Sequence, residues 1–241
     1  MEPDLTEDRL LGGRVRLLQP RRGYRVAVDA VLLAAAVDAT AGQRVLDLGA
    51  GVGAVGLCLA ARAPGVSVAG IELQPELAGL ARRNAVLNSA ENRVETIVHD
   101  LAFALPDGLA PFDHVCTNPP YLAAAVADPS PDRSKALATV ESSAGLARWL
   151  AVAVAALRDD GTLTLIHRSD RLEEIVTLLA AVGWGDLAIK RLPPAARVLV
   201  RARRSSALMR RDVTPLMLHR PEGGYTEAAE AILRHAYPLT F

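Results

Sequence analysis

The sequence predicts an α/β fold: a seven-stranded, mostly parallel sheet with helices on both faces, its last two strands joined as a hairpin. Three observations predict it. Short runs of strand-forming residues alternate with helix-length runs from residue 44 to 182. The first strand flows into Gly49-Ala50-Gly51-Val52-Gly53, a glycine-rich turn into a helix. From Asp186 two strand-like runs follow with only Pro193-Pro194 and its neighbours between them, so one strand must run antiparallel to the rest.

Within the alternation the predicted strands are Arg44–Leu48, Ser67–Leu73, Val94–Asp100, Phe112–Thr117 and Gly161–His167. The hairpin adds Asp186–Leu192 and Arg197–Arg203. Predicted helices are Ala54–Arg62, Pro75–Leu87, Ser143–Leu157 and Arg171–Val182. Pro75 suits a first helical turn, and Leu77, Leu80 and Leu87 fall on one face. The helix from Ser143 is apolar nearly all round (Leu146, Trp149, Leu150, Val152, Val154, Leu157), which predicts deep packing. Before the first strand, Val15, Leu17 and Leu18 suggest a short hairpin within residues 9–25, limited by Pro20 and Gly23, and Asp29 to Val37 reads as a compact apolar helix.

The 241 residues are read as one domain, with residues 1–43 a short basic N-terminal extension. A 51% hydrophobic and 22% charged composition supports a sizeable core. Formal net charge is zero, so attraction to nucleic acid must come from local clustering. Cys58 and Cys116 lie in apolar segments, which predicts buried free thiols. The acidic start lacks a signal-peptide pattern, and the Val26–Val37 run is interrupted by Asp29 and too short to span a bilayer. The expectation is a cytoplasmic protein with no membrane association. The five histidines show no metal-ligand spacing, and no metal site is expected.

Candidate binding residues follow from where strands end. In an open parallel sheet, ligands sit beyond the carboxyl ends of the strands near the switch in strand order. Asp47, Glu72, Asp100 and Asn118 stand at or just past four such ends. A Gly-x-Gly-x-Gly alone is shared by NAD, FAD and S-adenosylmethionine (AdoMet) sites. The acid within the first strand, the absence of a third dinucleotide-type glycine and the second strand ending in Glu72 favour AdoMet. Glu72 lies 21 positions beyond Gly51, near the roughly 20 typical of a ribose-binding acid.

The plan resembles the Rossmann-like fold of AdoMet-dependent methyltransferases. That resemblance implies that Gly49 and Gly51 line the methionine part of AdoMet, Glu72 accepts from the ribose hydroxyls and Asp100 from the adenine amino group. Asp47 would order the loop or meet the AdoMet ammonium. Asn118-Pro119-Pro120-Tyr121 resembles the motif of enzymes that methylate planar exocyclic or amide nitrogens. Such a nitrogen is a poor nucleophile, because its lone pair is delocalised. The Asn118 oxygen and the Pro119 carbonyl can accept both of its hydrogens and favour pyramidal geometry. Pro120 helps fix the backbone, and Tyr121 offers a stacking face for a flipped base.

Gln19-Pro20-Arg21-Arg22-Gly23-Tyr24-Arg25 followed by Asp29-Ala30-Val31-Leu32-Leu33-Ala34 resembles the N-terminal signature of bacterial tRNA1(Val) adenine-N6 methyltransferases. Leu216-Met217-Leu218-His219 and Gly224-Tyr225-Thr226 resemble that family's end. The resemblance implies that Arg25 and Asp29 border the AdoMet pocket and that the substrate is tRNA, modified at the adenosine beside the anticodon. The stretch between Pro120 and Ser142, expected to cover the substrate, departs from the family in being shorter and alanine-rich. Basic stripes at 14–25 and 190–211 contain no acid and suit phosphate contacts with RNA, or else an arginine-rich edge that resists aggregation. A rival reading is a protein methyltransferase acting on the glutamine side-chain amide, for which 43 residues before Arg44 are few. A non-catalytic AdoMet- or RNA-binding module and a NAD-dependent oxidoreductase are further alternatives. The intact Asn118–Tyr121 run disfavours the first and the glycine pattern the second.

Overall fold

The computed structural model describes residues 4–23, 25–121 and 144–241. Its main sheet has eight strands: β3 (Arg44–Leu48), β4 (Ser67–Glu72), β5 (Val94–Val98), β6 (Phe112–Thr117), β7 (Leu157–Arg168), β8 (Trp184–Arg191), β9 (Arg197–Arg203) and β10 (Ser205–Val213). Their spatial order is β10-β8-β9-β7-β6-β3-β4-β5. Within this sheet β9 runs against its neighbours, pairing antiparallel with both β7 and β8.

The seven expected strands are all present, and the sheet gains an eighth. β8 and β9 form the predicted hairpin, but β10 follows them and pairs parallel with β8 at the sheet edge. Nearly all of β10 is exposed, so it carries no alternation of buried and exposed residues for a sequence reading to detect. The reversal from β9 to β10 crosses tightly over β8. A Cβ on Gly185 would lie 2.5 Å from the Ala207 carbonyl oxygen, which is why no side chain can stand there.

Alternation along the inner strands divides the core in two. Val45, Val68, Cys116, Ile166 and Leu199 face one side, against α1 (Val28–Ala36), α2 (Ala54–Arg62), α3 (Pro75–Leu87) and α6 (Glu227–His235). Leu46, Ile71, Val115, Leu165 and Val200 face the other, against α4 (Leu146–Ala155) and α5 (Leu172–Ala181). Both cysteines are buried free thiols, Cys58 on α2 and Cys116 on β6. The α4 helix is less enclosed than expected: Leu146, Leu150, Val152 and Ala153 are buried, while Ala147, Arg148 and Ala155 are exposed. Ser143, where that helix was expected to begin, lies outside the described residues, as does the alanine-rich stretch from Leu122 onward.

The N-terminal hairpin starts earlier than predicted. β1 (Leu5–Leu10) pairs antiparallel with β2 (Val15–Pro20), and Leu11, Val15 and Leu17 are almost fully buried. Two asparagines one turn apart on α3 and at its end hold β2 as a strand partner would. Asn84 accepts from Leu18 N–H at 2.7 Å and donates to the Leu18 carbonyl at 2.9 Å. Asn88 does the same for Arg16, at 2.9 and 2.7 Å. The α1 helix is core rather than appendage, with Ala30 to Ala36 buried.

The α6 helix was not expected, although the sequence marks it. Thr226 caps its N-terminus by accepting from Ala229 N–H, Glu227 and Glu230 lie in its first turn, and Arg234 and His235 in its last. Among the described residues, no helix is long and apolar enough to cross a membrane.

Candidate active site

The carboxyl ends of β3, β4, β5 and β6 open onto one cavity of about 260 Å³. Of the residues singled out in the sequence, Arg25, Asp29, Gly49, Gly51, Glu72, Asp100, Asn118, Pro119, Pro120 and Tyr121 all line it. Asp47 does not. It is 2% exposed, set within β3 below the glycine turn, with the Cys116 thiol 3.8 Å from its Oδ1. Its Oδ2 is buried with no hydrogen-bond partner among the described residues. Burial and the nearby Glu72 push its carboxyl up to about 7.

The glycine turn is shaped by its neighbours as much as by its own backbone. Gly49 has φ 78°, and a Cβ there would stand 2.6 Å from the Trp149 ring. Trp149 reaches this point from α4, its indole N–H donating to the Ala144 carbonyl at 3.1 Å. Glu72 ends β4 and is locked by backbone donors: Gly51 N–H to Oε2 and Gln74 N–H to Oε1, each at 2.8 Å. Burial raises its pKa, and these amides oppose the rise. A carboxylate has about four lone-pair sites, so acceptor capacity remains on Glu72 beyond its amide contacts. Asp100 is held by Ala102 N–H on Oδ1 at 2.9 Å. A glycine turn that leaves no room for a Cβ at Gly49, beside a buried carboxylate held in a fixed orientation, fits the sulfonium nucleoside that the fold implies.

Arg25 is anchored away from the cavity floor, its guanidinium donating to Thr6 Oγ1, the Pro20 carbonyl and Asp8 Oδ2. Tyr121 is half-buried, with the Arg197 guanidinium 4.5 Å over its ring centroid and the His167 ring edge-on at 5.2 Å. One of its two faces is therefore covered, which narrows the stacking surface expected of it. Its hydroxyl lies 2.7 Å from Asp29 Oδ2. Burial and Asp29 raise the phenol pKa, so the hydroxyl stays protonated.

Trp149 and Arg197 are site residues that the sequence reading placed elsewhere, the first in the core and the second in an RNA-binding stripe. The pattern that could have found Arg197 is topological: the first residue of an antiparallel strand lies at the carboxyl end of its parallel neighbours. The basic stripes are also less uniform than their sequence suggests. Acids from other elements meet them: Glu7 with Arg16, Asp4 with Arg21 and Asp8 with Arg25. In the second stripe the pairs include Asp29 with Arg197, Glu173 with Arg210, Asp186 with Arg211 and Asp159 with Arg204.

The family model of the methyltransferase small domain matches residues 25–183. A tRNA1(Val) (adenine(37)-N6)-methyltransferase of Yersinia enterocolitica is 29% identical over 223 residues, covering 90% of this chain and 87% of the relative. One from Actinobacillus succinogenes is 31% identical over 191 residues, covering 78% and 80%. Among solved structures, a predicted O-methyltransferase of Agrobacterium tumefaciens superposes with a TM-score of 0.72 at 29% identity, covering 88% of this chain and 99% of that one. The 16S rRNA N2 G1207 methyltransferase of T. thermophilus, with a TM-score of 0.61 at 22% identity over 83% of this chain and 50% of that one, shares the fold. The chain belongs to the methyltransferase small domain family and, through relatives matched over most of both lengths, to that of the tRNA1(Val) (adenine(37)-N6)-methyltransferases.

Proposed function

We propose that this enzyme transfers the methyl group of AdoMet to the exocyclic N6 of an adenine in tRNA, the one beside the anticodon. The observation that carries this is the placement of Asn118 and Pro119 at the end of β6, lining the same cavity as Glu72 and the glycine turn. Bound AdoMet supplies an electrophilic methyl on a sulfonium. The chain's own part is to hold and polarise the acceptor. Glu72 takes the ribose hydroxyls, Asp100 the adenine amino group of AdoMet, and Gly49 and Gly51 leave room for its methionine part. Asp29 and Arg25 border the pocket.

The acceptor amine brings two hydrogens and a delocalised lone pair. The Asn118 amide oxygen and the Pro119 carbonyl each take one hydrogen, which favours the pyramidal nitrogen of the transition state. Alkylation makes that nitrogen strongly acidic, so the reaction needs no strong base. The face of Tyr121 away from Arg197 is the one assigned to stack on the base. Removing one preorganised hydrogen bond of this kind costs about 10²–10³ in turnover. Asn118→Ala should show such a loss in kcat on tRNA with AdoMet affinity unchanged, and retention of full turnover would take Asn118 out of the chemistry.

Phosphate contacts are assigned to the basic stripes at 14–25 and 190–211. Their ion pairs do not prevent this, because exposed pairs contribute only about 0–1 kcal/mol and a phosphate can displace the acid. β9 runs away from the cavity, so Arg203 stands about 20 Å from Arg197 at the usual strand rise. The phosphate contacts are therefore concentrated at the cavity end, near Arg21 and Arg22.

A further inference from the structure

The Tyr121 hydroxyl oxygen sits between two side-chain oxygens, 2.7 Å from Asp29 Oδ2 and 2.6 Å from Asn118 Oδ1. A phenol carries one proton and can donate to only one of them. Two oxygens at such a distance with no hydrogen between them repel. Asp29 is the stronger acceptor. It is a carboxylate, and Arg197 Nε–H donates to the same Oδ2 at 3.0 Å, holding it in place. The phenol proton therefore goes to Asp29, and the Tyr121 oxygen turns a lone pair to Asn118 at 2.6 Å, where a donor is required.

The amide of an asparagine can supply that donor, because its nitrogen and oxygen ends are interchangeable in shape and are told apart only by their hydrogen bonds. With the Asn118 amide turned end for end, its N–H₂ donates to Tyr121 and its oxygen becomes available to the cavity. The opposite orientation would present N–H₂ to an acceptor that is itself an amine, setting donor against donor. We propose that Asp29 and Arg197 are positioning residues that act through Tyr121 to fix the polarity of the Asn118 amide, so that its oxygen meets the substrate nitrogen. The chain of donation runs from Asn118 to Tyr121 to Asp29, with Arg197 donating to Asp29 from the other side. This inference rests on the amine-methylation reading above for its purpose, though not for its geometry.

The test has one arm that needs no substrate. In protein labelled with ¹⁵N-asparagine, an Asn118 side-chain amide bonded to Tyr121 exchanges its protons slowly. Tyr121→Phe, which keeps the ring and its packing, should speed that exchange, and so should Asp29→Asn. In turnover, Tyr121→Phe loses its hydrogen bond to the Asp29 carboxylate and is expected to lower kcat by about tenfold or more, with KM for AdoMet unchanged. Arg197→Gln should lower kcat in the same way and Arg197→Lys should restore part of it. The double variant Tyr121→Phe/Arg197→Gln should be no worse than Tyr121→Phe alone, since both act through one phenol. Unaltered amide exchange in Tyr121→Phe, or losses that multiply in the double variant, would overturn the inference. If adenine proves not to be the acceptor, the exchange arm still decides the amide orientation, so the two readings fail separately.

Discussion

Asp47 shows how burial sets the cost of a charge at the level of one residue. Its carboxyl is raised from the ordinary 3.8 to about 7 because water is excluded and Glu72 is close. An unfolded chain ionises this group near its ordinary value, while the native state keeps the proton until about pH 7. Native protein therefore holds more protons over that window, and stability falls as pH rises through it. Below the window both states are protonated and the penalty vanishes; above it the penalty is complete and constant. Asp47→Asn should accordingly gain stability over wild type between pH 4 and pH 7 and hold that gain at pH 8. Any cost of the new amide is independent of pH and shifts the curve without tilting it. Urea midpoints that run parallel for the two proteins across this range would show that Asp47 titrates normally.

At the scale of elements, the glycine turn is braced from both sides of the sheet. Trp149 of α4 packs against Gly49, and Asn84 of α3 donates to the Val52 carbonyl at 2.9 Å as well as holding β2. Asn84 is fully buried. Asn84→Ala should cost about 2–4 kcal/mol, because it strands several backbone groups at once, whereas the more exposed Asn88→Ala should cost about 1 kcal/mol. Chemical denaturation of both variants checks the contrast, and equal costs would contradict it. The same scale explains what the sequence made legible. α2 and α3 begin and end where expected, because Gly53 and Pro75 mark their starts with local backbone preferences. β1 and β10 went unseen because neither contains a buried residue, so no apolar face marks them in the sequence. Asp29 and Tyr121, 92 positions apart, share a hydrogen bond that no local pattern encodes.

For the whole molecule, zero net charge means that RNA must be held by local geometry rather than by a general field. Binding should weaken linearly on a log–log plot as salt is added. Arg21→Gln/Arg22→Gln should flatten that slope by about one for each phosphate left without its arginine. Arg203→Gln/Arg204→Gln, at the far end of β9, should leave it unchanged. Filter binding across a salt series gives both slopes, and the reverse ranking would move the RNA to the opposite end of the sheet. The measurement that bears most directly on the central claim is mass spectrometry of nucleosides from tRNA incubated with the enzyme and methyl-labelled AdoMet. The label is predicted on N6-methyladenosine from the nucleotide beside the anticodon. Label on a cytosine or guanine, or on a protein glutamine with none on RNA, would contradict it.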